Sequence, residues 1–478
     1  MSRKLPLPVG TTNYKKICED SYYVDKTLLI KEILDEKINV ALFTRPRRFG
    51  KTLNMDMLRT FFEKTVEDTG RYFQDKKIWQ QGEKYTSQQG QYPVIFLSLK
   101  DIKARKWQYA FDALKYIISV EYMRHAELKR SSELEEADLA LYNRIVKNQA
   151  GYMEYVFSLQ ALSRMLHQHH KQAPVIIIDE YDTPIQEGFV NGYYDDAVEF
   201  IRSFFSAALK DNPHARQIVM TGILRIAKES IFSGLNNIRV FSVLDKKFSE
   251  FFGFTTSEVQ QMAAYYEQTD KLPELKAWYD GYKFGDTDIF NPWSVINYFS
   301  NNCQAMPYWV QTSANTIIQE ILKTYNDDTY RNLHALLGKT EVQSIVRTNI
   351  IYPKLKEPQT NILGFLLMTG YLKSTGTELD ARGDYICRLS IPNKEIKTIY
   401  YNEILSLLTE DIGENTVMNL ANALYDKDVG VELSKLAQTA LKQIEEKKYD
   451  TELCAQGIDD IIKYGVAFQG KTVEIVTN

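Results

Sequence analysis

The chain has 478 residues, a formal net charge of −4, and 44% hydrophobic and 25% charged residues, as in a globular protein of two or three domains. This net charge does not favour nucleic-acid binding by the protein as a whole, but it does not exclude a local basic patch that binds nucleic acid. The four cysteines are far apart, no apolar run approaches about 18 residues, and residues 1–10 lack an apolar leader core. These features disfavour zinc, disulfide, membrane-span and signal-peptide interpretations, and we expect a cytoplasmic protein.

The first motif lies at residues 39–52, NVALFTRPRRFGKT. An apolar strand at 40–43 leads into a basic loop, and Gly50-Lys51-Thr52 then opens a helix. This is the layout of a phosphate-binding P-loop, in which the helix N–H groups face the anion. Lys51 is expected to reach the β- and γ-phosphates, and the Thr52 hydroxyl to hold Mg²⁺.

The loop departs from the full Walker A pattern at its first position, where Arg45 replaces a glycine. We assign the whole segment Arg45, Pro46, Arg47, Arg48, Phe49, Gly50, Lys51 and Thr52 to nucleotide binding. Its three arginines either grip phosphates or bind an acidic partner or nucleic acid, and the sequence leaves these alternatives open.

A second motif, PVIIIDE at 174–180, predicts a strand buried on both faces that ends in an acidic pair. The carboxyl ends of parallel strands are where open α/β sheets bind ligands. Asp179 fits a Walker B residue that holds Mg²⁺, and Glu180 fits the residue that polarises an attacking water. The alternative is a purely structural one, an ordinary core strand followed by an acidic turn.

Further apolar runs complete a predicted sheet, with strands at 40–44, 93–99, 174–179 and 216–221 and helical patterns between them. This order predicts a doubly wound α/β fold, a P-loop NTPase of the additional-strand class. Thr221 ends the fourth strand and is expected to sense the γ-phosphate. Arg225 either places positive charge near the transferred phosphoryl group or forms a surface salt bridge.

The remainder of the chain is predicted to be largely helical, with helices at 193–210 and 256–268 and a helix start at 291–299. A helix at 361–373 followed by a hairpin at 385–393 suggests a winged-helix-like unit. Such a unit binds DNA in some proteins and forms a lid beside an ATPase core in others.

Together these residues resemble a family of bacterial proteins with an AAA-ATPase-like N-terminal region and a PD-(D/E)XK nuclease-like C-terminal region. The similar segments span nearly the whole chain and include 22–34, 42–58, 176–185, 221–240, 278–285, 291–299, 308–315, 441–449 and 461–475. The resemblance implies that arginine at position 45 is a family trait. It also implies three regions, an ATPase-like domain at 1–240, a helical and winged-helix-like lid at 241–400, and a nuclease-like region at 401–478.

The nuclease-like region departs from the family, because no apolar strand carrying E-x-K follows residue 400. In such nucleases the strand carboxylates bind Mg²⁺ and the lysine assists the attacking water. The catalytic strands are expected to be missing near Gly430 and Val431, which leaves an inactive nuclease remnant.

The leading hypothesis is an Mg²⁺-dependent ATP-binding protein that hydrolyses ATP slowly as a switch, with Lys51, Glu180 and Arg225 as catalytic residues and Thr52 and Asp179 as metal ligands. One alternative is an ATP-binding interaction protein without turnover, and another is an ATP-coupled DNA nuclease. The sequence is compatible with a nucleic-acid partner, a protein partner or a homo-oligomer. No membrane association is expected.

Overall fold

The computed structural model describes residues 4–226, 238–309, 332, 335–337, 341–350, 352, 362–400, 433–447, 464–469 and 472–477. The chain divides into two compact units, Met1–Ile399 and Tyr400–Asn478. The finer three-region division stays a prediction.

A five-stranded parallel sheet forms the centre of the first unit. Its strands are β1 (Val40–Thr44), β2 (Val94–Ser98), β3 (Val175–Asp179), β4 (Gln217–Gly222) and β6 (Ile238–Phe241), while β5 (Arg225–Ile226) lies outside it. The order across the sheet is β2-β3-β4-β1-β6, so β4 lies between β1 and β3. The α/β prediction and its four strands are confirmed, and β6 is a fifth strand that the sequence did not predict.

The strands form because each is a short run of mostly β-branched or aromatic apolar residues. Every residue of β1, β3 and β4 is buried, as expected for parallel strands covered by helices on both faces. The register pairs Thr44 with Gly222 and Ser98 with Asp179. The polar residues that end these strands therefore meet at one edge of the sheet.

Ten helices of the described chain surround this sheet. They are α1 (Tyr14–Asp20), α2 (Leu28–Glu36), α3 (Lys51–Phe62), α4 (Glu83–Thr86), α5 (Trp107–Arg124), α6 (Glu136–Val146), α7 (Tyr152–Val156), α8 (Ser158–His170), α9 (Thr183–Asn191) and α10 (Tyr194–Leu209). The predicted helix at 193–210 corresponds to α10. Its Phe200, Ile201, Phe204 and Phe205 are buried in the core.

The outer strand β2 does not leave its hydrogen-bonding edge free. The amide of Phe96 donates to Glu121 Oε1 (2.8 Å), and the Arg124 guanidinium donates to the carbonyl oxygen of Val94. Both side chains come from α5. They satisfy backbone groups that an open edge would offer to another strand.

Beyond β6 the first unit adds smaller elements that border the sheet. They are β7 (Phe254–Thr255), α11 (Thr256–Tyr265), α12 (Leu272–Tyr279), β8 (Tyr282–Phe284), β9 (Thr287–Phe290), α13 (Pro292–Ser300), β10 (Val342–Val346), β11 (Asn349–Ile350), α14 (Ile362–Thr369), β12 (Lys373–Leu379) and β13 (Tyr385–Ser390). Strands β10, β13 and β12 form an antiparallel sheet, and β11 pairs with β5. The helix and hairpin expected near 361–393 correspond to α14, β12 and β13, while a lid or DNA-binding role for them stays a prediction.

The second unit is described for one helix, α15 (Leu433–Glu446), and for a hairpin of β14 (Tyr464–Gln469) and β15 (Thr472–Thr477). The junction expected near Gly430 and Val431 lies outside the described residues. The nuclease-remnant interpretation therefore stays a prediction. Among the described helices, none combines the length and apolar character needed to cross a membrane.

Candidate nucleotide site

The loop after β1 turns into α3 through Gly50, which has a positive φ of 81° and caps the helix. A Cβ atom added at Gly50 would meet nothing within 4 Å, so the space above the helix start is open. The Lys51 ammonium folds back and donates to the carbonyl oxygens of Arg45 (3.0 Å) and Pro46 (2.9 Å). Burial lowers the pKa of Lys51, and these contacts hold its charge at the loop where an anion would bind.

Asp179 lies at the end of β3 and gathers hydroxyl groups from three other segments. Its Oδ2 accepts hydrogen bonds from Thr52 Oγ1 (2.8 Å) and Ser98 Oγ (3.4 Å), and its Oδ1 accepts one from Thr221 Oγ1 (2.6 Å). Burial raises the pKa of Asp179, an effect that the hydrogen bonds from Thr221 and Thr52 oppose. The sequence-predicted residues Thr52, Asp179 and Thr221 are thus in direct contact.

Glu180 follows immediately and has a left-handed backbone, with φ of 53°. This conformation is uncommon for a residue other than glycine and often occurs at functional sites. Its amide donates to Thr221 Oγ1 (3.2 Å), and its Oε2 accepts a hydrogen bond from Thr183 Oγ1 (3.3 Å). The Glu180 carboxylate also acts electrostatically on Lys51 and Arg48, so it shares the site with the P-loop cations.

Arg45 does not extend into the open side of the loop. Its side chain is fully buried, and its guanidinium donates to three backbone carbonyl oxygens, those of Thr44 (2.9 Å), Phe241 (2.7 Å) and Phe248 (3.2 Å). It also lies over the rings of Phe252 and Phe284, at 5.1 and 5.3 Å from their centroids. Burial lowers the pKa of Arg45 to about 9. The structure therefore places this side chain in the core, whereas we had expected it to contact phosphates.

The other two arginines of the loop lie nearer its surface. Arg48 has a positive φ of 69°, and its guanidinium stacks 4.2 Å from the ring centroid of Trp293 at the start of α13. Arg47 is half-buried and acts electrostatically on Lys51. Phe49 is buried, with its ring 5.0 Å from that of Tyr282. The P-loop is therefore packed against elements that follow the central sheet.

Arg225 lies in β5, four positions beyond Thr221. It is half-buried, and its Nε atom has no hydrogen-bond partner among the described residues. The salt bridge that was the alternative for Arg225 is not among the ion pairs of the described chain. Its expected contact with a phosphoryl group stays a prediction.

A cleft with an internal volume of about 70 Å³ lies beside Phe49 and Gly50. Its wall is mainly apolar and includes the aromatic side chains of Tyr22, Tyr23, Phe251 and Phe254. From sequence, residues 22–27 either contact nucleotide or simply pack, and the structure places several of them along this cleft. The contribution of residues 251–254 had no local signal, because their proximity depends on the tertiary fold.

Sequence reasoning missed Asp182, which lies two residues after the predicted Walker B pair. It is 1% exposed, and its Oδ2 accepts hydrogen bonds from the amides of Ile223 (2.8 Å) and Leu224 (2.9 Å). Burial raises the pKa of Asp182 to about 6, while those amide bonds and Lys51 oppose the rise. The spacing of two acids three residues apart in DEYD was the available signal.

The described residues contain no group of three His, Cys, Asp or Glu side chains that could hold a metal ion. Mg²⁺ does not need such a cluster, because it usually keeps several waters and takes one or two carboxylates together with phosphate oxygens. The hard oxygen atoms of Thr52 and Asp179 suit it. The donor set therefore fits the expected ion.

Residues 8–232 match the model of a protein family described as predicted AAA-ATPase. The chain is 26% identical over 437 residues to an uncharacterized protein in the vnfD 5' region of Azotobacter chroococcum mcd 1. The aligned region is 89% of this chain and 74% of that protein. A solved structure of the Aeropyrum pernix ORC1 protein in complex with DNA matches 81% of this chain and 91% of its own, with 13% identity and a TM-score of 0.27. The family match includes the loop at 45–52 and Asp179, Glu180, Thr221 and Arg225, while the cleft residues at 251–254 lie beyond it. The chain is thus similar to predicted ATPases over the segments that would hold the phosphates.

Proposed function

We propose that the protein binds ATP with Mg²⁺ and hydrolyses it slowly, as a switch. The observation that carries the proposal is the 2.8 Å contact between Thr52 and Asp179, which joins the start of α3 to the end of β3 next to the Lys51 ammonium. A hydroxyl, a carboxylate and an ammonium at the carboxyl ends of parallel strands suit a metal-bound triphosphate.

The phosphates belong over the start of α3. There the Lys51 ammonium exchanges the carbonyl oxygens of Arg45 and Pro46 for phosphate oxygens, a stronger charge-assisted contact. Arg47 can join it without giving up a described contact, because Arg45 is held in the core, whereas Arg48 would first have to leave the ring of Trp293. The magnesium ion neutralises phosphate charge when bound, and Thr52 and Asp179 are the residues that would hold it.

The nucleobase belongs in the cleft beside Phe49 and Gly50. Its wall exposes mainly apolar and aromatic surface, which suits a flat heterocycle. One polar residue of the wall, Lys26, is already paired with Glu258, with Nζ 2.6 Å from Oε2. The base is therefore held chiefly by packing.

The proposed slow turnover is supported by the state of Glu180. Its carboxylate is near the P-loop cations but accepts a hydrogen bond from Thr183. That hydrogen bond favours a side-chain rotamer in which Oε2 faces Thr183, so we expect Glu180 to have to reorient before it polarises a water.

The test compares two substitutions in the full-length protein. Lys51→Ala is expected to abolish binding of a fluorescent ATP analogue, because it removes the buried ammonium. Glu180→Gln is expected to keep binding and stop phosphate release. Lys100→Ala, which changes an exposed lysine, serves as the control. Equal binding by wild type and Lys51→Ala would show that ATP does not use this site.

A non-hydrolysing interaction protein is the second candidate, and the restraint on Glu180 and the stacking of Arg48 on Trp293 favour it. In that case ATP is a structural ligand. Purified protein then binds Mg·ATP but releases no more phosphate than Lys51→Ala. Steady release above that control rules this candidate out.

A further inference from the structure

Tyr181 holds the segment that follows β4 at several points. The Tyr181 amide donates to the carbonyl oxygen of Thr221 (3.0 Å), and the Tyr181 hydroxyl donates to the carbonyl oxygen of Leu224 (2.7 Å). The same hydroxyl accepts a hydrogen bond from the amide of Ile226 (3.2 Å). One buried tyrosine thus fixes the backbone on both sides of Arg225.

Asp182 holds the first half of the same segment. One carboxylate oxygen accepts from the amides of Ile223 and Leu224, while the other, Oδ1, is buried without a hydrogen-bond partner among the described residues. A Cβ atom at Gly222 would lie 2.8 Å from that oxygen, so the segment and the carboxylate are closely packed. Asp182 also acts electrostatically on Lys51, which connects it to the proposed phosphate position.

Arg225 lies inside this fixed segment and pairs in β5 with Asn349 of β11. Its buried Nε has no hydrogen-bond partner within the described part of the chain, which is unusual because buried donors are nearly always satisfied. The segment that carries it is linked to the proposed phosphate position through Asp182, which accepts from two of its amides and acts electrostatically on Lys51.

We propose that Tyr181 and Asp182 are positioning residues that fix Arg225 toward the terminal phosphate of the nucleotide. The proposal rests on the proposed function, since it needs a nucleotide in the site. Tyr181 and Asp182 do not touch the phosphate themselves. They hold the backbone from which the Arg225 guanidinium reaches it.

The first test needs no nucleotide. Amide hydrogen exchange is measured in wild type, Tyr181→Phe, Asp182→Ala and Asp182→Asn. Tyr181→Phe is expected to speed exchange at Ile226 about tenfold, the effect of one lost hydrogen bond. Asp182→Ala is expected to do the same at residues 223 and 224, and Asp182→Asn, which keeps an acceptor oxygen, to restore slow exchange.

Tyr193→Phe is the matched control, because it removes a hydroxyl that donates to Ala104 (2.7 Å) elsewhere in the unit. It is expected to leave residues 223–226 unchanged. Unchanged exchange in Tyr181→Phe would overturn the structural half of the proposal. This result would not depend on whether ATP binds.

The second test is a double-mutant cycle on the ratio of ATP to ADP affinity, measured with Mg²⁺ by calorimetry. Arg225→Ala and Tyr181→Phe are each expected to lower the ratio about tenfold, the value of one charge-assisted contact. Their combination is expected to match Arg225→Ala alone, because Tyr181 acts through Arg225.

Additive effects, or no effect of Arg225→Ala, would overturn the inference while leaving ATP binding in place. A wild type that binds neither nucleotide would instead overturn the proposed function. The two failures are therefore separable. The exchange test remains valid in both cases.

Discussion

Replacing Arg45 by glycine recreates the Walker A consensus, yet we expect it to damage the protein. The Arg45 guanidinium donates to three buried carbonyl oxygens from β1, β6 and the segment after β6. Arg45→Gly leaves those acceptors in a dry core and opens a cavity beside Phe252 and Phe284. It also frees the backbone of a loop that must hold one conformation.

Each charge-assisted hydrogen bond contributes about 1.5–3 kcal/mol, and the two ring contacts add about 1 kcal/mol each. The opposing cost of burying the charge is about 5 kcal/mol, since burial lowers the Arg45 pKa from 12.5 to about 9. The cavity adds roughly 2 kcal/mol to the loss. These contributions give a net destabilisation by Arg45→Gly of roughly 3.5–8 kcal/mol, at or above the range of about 3–5 kcal/mol for breaking a buried charged network.

Urea unfolding followed by tryptophan fluorescence measures this change, with Arg47→Gly as the control in the same loop. Arg47→Gly is expected to weaken ATP binding but to change stability by no more than about 1 kcal/mol, because Arg47 is only half-buried. If Arg45→Gly unfolds at the wild-type urea concentration and binds ATP more tightly, then Arg45 merely occupies a glycine position and our reasoning about its core role is wrong.

Three further expectations concern other parts of the first unit. Burial raises the pKa of Glu395 from 4.5 to about 7. The free energy of unfolding should therefore fall by about 3 kcal/mol as the pH rises from 4.5 to 7, and then level off. Urea titrations of Glu395→Gln should lack this pH dependence. Gly222→Ala should destabilise the fold by about 1–3 kcal/mol in thermal melts, because its Cβ would lie 2.5 Å from the Tyr181 ring, and an unchanged melting temperature would contradict this. Trp293→Leu should tighten binding of a fluorescent ATP analogue several-fold by releasing Arg48 from a contact of about 1 kcal/mol, whereas weaker binding would mean that Trp293 supports the bound state.

The sequence predicted the central strands well because each is an uninterrupted apolar run that ends in a polar residue. It missed β6 because Ile238–Phe241 is short and carries Arg239, so it has no such run. The contacts among Thr52, Asp179 and Thr221 followed from the parallel order alone. Once the strands share a direction, their carboxyl ends meet at one edge.

The sequence could not predict the direction of Arg45. A basic residue in a basic loop looks solvated, and its acceptors at Phe241 and Phe248 are some two hundred positions away in the chain. Local patterns carry no information about such a partner. The same limit applies to the cleft, whose wall joins residues 22–26 to residues 251–262.

The P-loop of this protein is held by side chains where a glycine-rich loop relies on backbone freedom. Arg45 fastens its first residue to the core, Phe49 fastens its end to Tyr282, and Arg48 reaches Trp293 of α13. A phosphate that draws Arg48 away from Trp293 therefore alters a contact with the elements beyond the sheet. Because a ligand shifts an equilibrium only by its differential interaction with two states, we expect this contact to couple the proposed nucleotide binding to the later elements.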